Sequence, residues 1–168
     1  MDRRVDSFRF VDFVTRRLIQ SWIAREPQRR IPWTPPTKPL SECTVALVST
    51  AGIATKADVP FDQEGERQNP WWGDPSFRTI PREATESDVD VHHLHIDTSY
   101  AARDLNCLFP LARLLSLARC GQIGRSAPSH YSFMGYILQP RHLLERSVPE
   151  MIHGLRRDAV DVVLLVPV

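Results

Sequence analysis

The chain has 168 residues, a net charge of +1 and a hydrophobic fraction of 42%. This length suits one domain with a real core, and the near-neutral charge argues against nucleic acid or a membrane surface as a partner. No run approaches the ~20 apolar residues of a membrane span, and no signal peptide is evident. Its three cysteines, an odd number without metal-ligand spacing, favour a reducing compartment, by default the cytoplasm.

Residues 1–30 are predicted to form a basic amphipathic helix apart from a domain at 31–168. Apolar side chains recur at helical spacing, at Phe8, Val11, Val14, Leu18 and Trp22. The segment holds eight arginines against four acidic residues. No aromatic residues interleave a basic patch, so the charge indicates a solvated face rather than a nucleic-acid-binding arm. The proline-rich stretch 31–39 is predicted to be an extended arm that docks through Trp33.

Short apolar runs then alternate with helical patterns. The continuous apolar run at 44–49 predicts a strand that is buried on both faces, and a tight turn follows at 50–52. Residues 53–75 are acidic and punctuated by proline and glycine, which predicts a long functional or mobile loop. Further short strands are predicted at 77–80 and 91–96.

The second half of the chain continues the alternation. Pro110 opens a helix that Gly121 closes, and 127–133 has the pattern of a strand. Pro140 opens another helix, which is predicted to restart at Ser147 through a capping box with Glu150. The run Val160–Val166 is the strongest strand pattern, and its apolar character predicts a place in the middle of the sheet.

Strands alternating with helices predict an α/β fold, an open and mostly parallel sheet with flanking helices. Because nothing in the sequence follows Val168 to cover the last strand, we expect the sheet to be incomplete at the carboxyl terminus. Ligands of such sheets bind beyond the carboxyl ends of the strands. Three segments fall at such ends, 49–52, 130–135 and 167–168, and we expect them to line a common cleft.

Chemistry-bearing side chains occur in two of these segments. His130 and Tyr131 are the candidate catalytic residues, because either side chain can donate a proton to a leaving group. Candidate substrate-binding residues are Ser49, Thr50, Gly52 and Ser132, with the backbone N–H groups after Ser49 offered to a carboxylate. Equally open are two structural interpretations, a plain turn at 49–52 and punctuation around a buried aromatic cluster at 130–135.

Two other groups of side chains are interpreted as structural. His93 and His95 share one face of the predicted strand 91–96, a spacing that some metal sites use, but no third ligand is evident. We therefore expect ordinary strand histidines and no metal site. Cys43, Cys107 and Cys120 have no neighbour in sequence that would activate a thiol, and they are predicted to be structural.

Several stretches resemble one bacterial family in their order and spacing. They are residues 36–52, 77–81, 104–115, 121–124, 130–135 and 160–168. From about residue 31 to the end, the chain is similar to the selenoprotein B component of glycine/sarcosine/betaine reductase, a family related to D-proline reductase. The basic helix matches least.

The resemblance implies an oxidoreductase that joins X–H and Y–H into an X–Y bond with a disulfide as acceptor. In that family the strand ending Leu-Leu-Val-Pro-Val is followed by selenocysteine or cysteine, two residues and a cysteine. We therefore expect that motif just after Val168, which makes this chain a truncated amino-terminal part whose selenocysteine belongs to the full-length protein. No other cofactor is expected in this chain.

A selenol suits this chemistry, because it is ionised at neutral pH and is a better nucleophile than a thiol. The expected partners are a small-molecule substrate and a protein thiol or disulfide, with homo-oligomerisation left open. Two alternatives remain. One is an inert truncated or accessory α/β subunit that binds a ligand, and the other is an unrelated α/β enzyme that uses His130 for acid–base catalysis.

Overall fold

The computed structural model of the protein describes residues 12–25, 34–69 and 71–168. It consists of two units, residues 1–35 and 36–168. In the first unit, helix α1 spans Phe13–Arg25, and the Asp12 carboxylate accepts the N–H groups of Val14 and Thr15, as an N-cap does. The predicted helix is thus confirmed over its described part. Phe8, Val11 and Trp33 lie outside the described residues, and the domain boundary at residue 30 stays a prediction.

The second unit is a mixed α/β structure. Its strands and helices, in chain order, are β1 (Thr44–Ser49), β2 (Ile53–Thr55), α2 (Gln63–Gln68), β3 (Phe77–Pro81), β4 (Val89–Val91), α3 (Leu111–Arg119), β5 (Arg125–Ser126), β6 (Ser129–Phe133), α4 (Val148–Arg157) and β7 (Val162–Val166). The predicted strands at 44–49, 77–80 and 127–133 and the helix after Pro110 are confirmed within a few residues.

Strand β1 lies at the centre of a five-stranded sheet. Strands β5 and β6 pair with one side of β1 and β7 pairs with the other, all in parallel, whereas β3 pairs antiparallel with β6. Strands β2 and β4 form a separate antiparallel pair. The prediction of a mostly parallel sheet with flanking helices is confirmed.

Both faces of β1 are covered, so all six of its residues are buried. Successive side chains of a strand point to opposite faces. Val45 and Leu47 pack in a cluster with Leu111 and Leu114 of α3. On the other face, Val48 packs with Tyr131 and with Met151 of α4. The continuous apolar run of β1 thus has the physical origin that the sequence indicated.

The placement of the last strand corrects the sequence-based prediction. Within the part of the chain that the structure describes, β7 pairs only with β1 and therefore lies at an edge of the sheet. Val163, Leu164 and Leu165 are 36%, 47% and 69% exposed. An apolar run reports a tendency to be buried, but burial requires a partner strand and a covering layer, and neither lies over the outer side of β7 among the described residues.

Three further predictions are wrong in detail. The loop 53–75 contains β2 and α2. The strand predicted at 91–96 is observed only as far as Val91, as the end of β4, and one further bond, from the His92 N–H to Gly52 O over 2.8 Å, follows it. At Ser147 there is no capping box, since a π-helical turn, Leu143–Ser147, runs directly into α4. The Ser147 hydroxyl instead donates to Pro75 O over 2.6 Å.

Candidate functional site

The loops after β1 and β6 meet the end of β7 at one edge of the sheet. The Val168 N–H donates to Thr50 Oγ1 over 2.8 Å, and the Thr50 N–H donates to Val166 O over 3.1 Å. The Gly52 N–H donates to Phe133 O over 3.0 Å. We call Thr50, Gly52, Gly135 and Val168 the carboxyl edge. The three segments predicted to converge therefore do lie together, because parallel strands end at the same side of their sheet.

Two glycines allow these loops to approach each other. Gly52 has a φ of +63°, and a Cβ there would lie 2.5 Å from Met134 Sδ and 2.8 Å from His92 O. At Gly135, a Cβ would lie 3.0 Å from Val168 O and 3.1 Å from Thr50 O. A side chain at Gly52 would suffer both backbone strain and collision, so the turn requires glycine.

The polar groups after β1 are already used within the chain. The N–H groups from Thr50 to Ile53 all have acceptors, which are Val166 O, Ser49 Oγ, Phe133 O and Ser132 Oγ in turn. Ser49 and Ser132 are fully buried, and their hydroxyls donate to Leu108 O and Ser49 O. This geometry leaves no N–H in the turn free for the carboxylate that was predicted to bind there. A substrate-binding role of the four residues stays a prediction.

His130 is fully buried in the face of the sheet that α3 covers. Its Nδ1 accepts the Leu47 N–H over 2.9 Å, and its Nε2 lies 3.0 Å from the Ser126 hydroxyl. Burial lowers the pKa of His130 to about 4, because a charged imidazolium would lose its hydration there. The ring thus faces β1 and β5 rather than Val168. Its catalytic role stays a prediction.

Tyr131 points to the opposite face, toward α4, as alternation along β6 requires. Its hydroxyl is buried and has no hydrogen-bond partner, and a Cβ at Gly154 would lie 2.1 Å from it. Burial raises the pKa of the phenol. The two predicted catalytic side chains are therefore separated by the sheet, and the role of Tyr131 also stays a prediction.

A second group of side chains, absent from the predicted site, flanks the carboxyl edge. Glu66 Oε1 lies 2.7 Å from His95 Nε2, and the His95 N–H donates to His93 Nδ1 over 3.1 Å. The His95 ring centroid lies 4.3 Å from that of Tyr136, the residue after Gly135. We call Glu66, His93, His95 and Tyr136 the Glu66–His95 cluster.

Burial within this cluster is uneven. The Glu66 side chain is 2% exposed, whereas that of His95 is 48% exposed. Glu66 Oε2 and His93 Nε2 are buried without a hydrogen-bond partner. Burial and the neighbouring His95 lower the pKa of His93. The neutral His93 ring can therefore accept the backbone N–H of His95 at its Nδ1. A buried carboxylate beside a half-exposed imidazole is an arrangement able to transfer protons.

Local structure explains why Glu66 points inward. The Asp62 carboxylate accepts the Gly65 N–H over 2.8 Å and starts α2. A Cβ at Gly65 would lie 2.8 Å from the Trp72 ring, so glycine lets the helix pack against that indole. The histidine spacing was visible in the sequence, but Glu66 precedes His95 by 29 residues. Nothing local in the sequence links the two side chains.

A cavity of about 530 Å³ lies elsewhere, beside β3 and α3. Ile80, Phe109 and Leu111 contribute to its apolar wall, and Arg82 and Glu83 also line it. None of the predicted site residues lines it. Of the helices in the described ranges, none is both long enough and apolar enough to cross a membrane.

Comparisons with known proteins show that the chain is similar to one family of reductases. Residues 7–168 match the family model of glycine/sarcosine/betaine reductase selenoprotein B. The chain is also 39% identical over 133 residues to D-proline reductase subunit gamma of Acetoanaerobium sticklandii, covering 79% of this chain and 52% of that protein. It thus spans about half the length of this curated relative. No solved structure matches the chain significantly.

Proposed function

The chain belongs to the glycine/sarcosine/betaine reductase selenoprotein B family, and from that premise we propose that it is the amino-terminal part of a thiol-dependent reductase. In the physiological direction, two thiols give two electrons and two protons to an X–Y bond. That bond breaks into X–H and Y–H, and the thiols become a disulfide. The family match over residues 7–168 is the observation that carries this proposal.

The full-length protein is proposed to carry selenocysteine or cysteine, two residues and a cysteine directly after Val168. Such a motif supplies an ionised nucleophile and a thiol that resolves the adduct. Two features of the chain fit it. The Thr50 hydroxyl fixes the backbone of Val168 at the carboxyl edge, and an acid–base pair lies beside that edge.

The residues of the carboxyl edge then act by positioning. Thr50 holds the backbone from which the motif extends, and Gly52 and Gly135 let the three loops approach each other. Fixed geometry of this kind accounts for much of an enzyme's rate, because it removes the entropy cost of bringing reacting groups together. We propose that the small-molecule substrate binds over this edge, with Thr50 as its nearest polar side chain.

Other subunits and a protein thiol are proposed as partners. The relative from Acetoanaerobium sticklandii is named as one subunit of its reductase, which supports a complex for this protein as well. A redox pair that must be re-reduced in each cycle needs a reducing compartment. We therefore propose the cytoplasm as the site of action.

The test is turnover by the full-length protein, purified with the subunits that accompany it. Glycine, sarcosine, betaine and D-proline are each supplied with dithiothreitol, and substrate loss and dithiol oxidation are measured together. We expect equal molar loss of one substrate and of dithiol, abolished when the motif cysteine is replaced by serine. A folded complex with an intact motif that consumes none of the four would favour an inert binding subunit.

A variant of Thr50 tests the positioning role. Thr50→Val keeps the shape of the side chain but removes the hydroxyl that bonds Val168, and we expect turnover to fall about tenfold. Thr79→Val, on the exposed side of β3, is the matched control and should leave turnover unchanged. Equal turnover of the two variants would contradict the role of Thr50.

A further inference from the structure

The Glu66–His95 cluster has the chemistry of an acid–base site that the predicted residues lack. His130 is fully buried, with both ring nitrogens hydrogen-bonded inside the sheet. The His95 side chain is 48% exposed, and its Nε2 is bonded to Glu66. Nδ1 of His95 has no hydrogen-bond partner among the described residues. This nitrogen is therefore able to exchange a proton with a group outside the chain.

Glu66 controls how the His95 ring is used. A carboxylate that accepts the Nε2–H leaves the Nδ1 lone pair as the base, and it stabilises the imidazolium that forms when Nδ1 is protonated. The carboxylate is almost completely buried, and its second oxygen has no partner. Burying a carboxylate costs free energy unless it is paired, so the contact with His95 is the main compensation for Glu66.

The cluster lies beside the carboxyl edge. The ring of Tyr136 lies 4.3 Å from that of His95, and Tyr136 adjoins Gly135, where a Cβ would lie 3.0 Å from Val168 O. The backbone of His92, the residue before His93, also donates its N–H to Gly52 O. The cluster is therefore connected to the carboxyl edge at two points, the loop after β6 through Tyr136 and the loop after β1 through His92.

We propose that His95 is the base that accepts the proton of the redox cysteine and that Glu66 is its positioning residue. The proposal rests on the function proposed above. A selenol is already ionised at neutral pH, but a cysteine thiol is largely protonated and must lose its proton before it attacks. The S–H bond breaks, its proton goes to His95 Nδ1, and the electron pair stays on sulfur as a thiolate. The Glu66 carboxylate then stabilises the imidazolium, and the step is a proton transfer with no change of oxidation state.

The test measures thiolate formation rather than turnover. The reduced full-length protein is alkylated with iodoacetamide across a pH series, and modification of the motif cysteine is followed by mass spectrometry. At neutral pH, His95→Gln should lower the alkylation rate about tenfold, the effect of removing a cationic neighbour from a thiolate. Above about pH 9.5 the difference should vanish, because the thiol ionises unaided.

Matched variants separate positioning from folding. Glu66→Gln, like His95→Gln, should lower the alkylation rate at neutral pH. Glu64→Gln and His153→Gln, both at exposed helix positions, should leave the rate unchanged. The titratable groups that face His95 are Glu66, His93 and Tyr136.

The outcomes distinguish this inference from the proposed function. If the full-length protein contains no reactive motif, both fail. If the motif is present and His95→Gln is folded but is alkylated at the wild-type rate, only the inference is overturned. A lower rate for His95→Gln alone, with the wild-type rate for Glu66→Gln, would overturn the role of Glu66.

Discussion

The Leu47 backbone N–H donates to Nδ1 of His130 over 2.9 Å, and this contact repairs a gap in the sheet. Pairing with β1 moves from Ser126 at Val45 to Tyr131 at Val48, which is three residues along β1 and five along its partner. The two extra residues interrupt the ladder and leave the Leu47 N–H without a backbone acceptor. A neutral imidazole supplies that acceptor inside the core.

The buried His130 should make stability depend on pH. Burial lowers its pKa to about 4, while the unfolded chain binds a proton below about pH 6.5. The stability of the neutral ring is thus complete above pH 6.5 and is lost as the pH falls toward 4. When urea unfolding is measured at about pH 7.5 and at about pH 4.5, the unfolding free energy of wild type should fall between the two by roughly 2 to 3 kcal/mol more than that of His130→Asn.

The exposed residue His153 on α4 provides the control. His153→Asn should show the same loss on acidification as wild type. If His130→Asn loses as much stability as wild type between the two pH values, His130 is not held neutral in the folded protein.

The Tyr131 hydroxyl is predicted to be dispensable for stability. It is buried without a partner, so Tyr131→Phe should leave the unfolding free energy unchanged or raise it by up to about 1 kcal/mol. Thermal or urea unfolding measures this. Turnover of the full-length protein tests whether the hydroxyl is also dispensable for catalysis, because a Tyr131→Phe protein that is stable yet inactive would support the predicted catalytic role.

Gly154 should not tolerate a methyl group, because the Tyr131 hydroxyl occupies the space that a Cβ would need. A Cβ there would lie 2.1 Å from Tyr131 Oη, so Gly154→Ala should cost about 1 to 3 kcal/mol despite the better helix propensity of alanine. Adding Tyr131→Phe should recover part of that loss. His153→Ala, on the exposed side of the same helix, should have little effect, and equal stability of both alanine variants would contradict the close packing.

The free edge of β7 should make the 168-residue chain self-associate. Leu165 is 69% exposed on a strand that pairs on one side only within the described structure. Such an edge is a template for pairing with another chain. Size-exclusion chromatography should show oligomers that Leu165→Lys reduces. Leu144→Lys, at a residue that is 59% exposed away from β7, should not change the elution. A monodisperse wild-type monomer would refute this prediction.

The three cysteines should be dispensable for redox turnover. Cys43 is buried, and its thiol donates to Pro39 O over 3.3 Å, while Cys107 and Cys120 are exposed. Each should be replaceable by serine or alanine in the full-length protein with turnover largely intact, although Cys43 variants should lose stability because that thiol lies in the core. Loss of turnover by a folded Cys107 or Cys120 variant would reveal a resolving thiol within this chain.

Local patterns predicted those elements whose environment is set by their own residues. β1 is buried throughout because helices cover both of its faces, and the apolar run in its middle shows this in the sequence. Helix α3 begins after a proline and ends near a glycine for reasons confined to its own ends. The convergence at the carboxyl edge follows from parallel strands alone, which is why Thr50 and Val168 were expected to meet.

The predictions that failed concern contacts between distant residues. Ser147 matched a capping box, yet its hydroxyl bonds to Pro75, 72 residues away in sequence. The apolar run of β7 resembled that of β1, but burial depends on which elements lie over a strand.

The sequence by itself determined the α/β class, the mostly parallel character of the sheet and the family, because these depend on periodic patterns and on motifs read along the chain. Only the tertiary structure decided the chemistry of individual side chains. His130 became a buried acceptor because of two extra residues in its own segment, between Ser126 and Tyr131, and His95 gained a carboxylate from a helix 29 residues earlier. A side chain's reactivity is fixed by burial and by its partners, and folding brings those partners from remote parts of the chain.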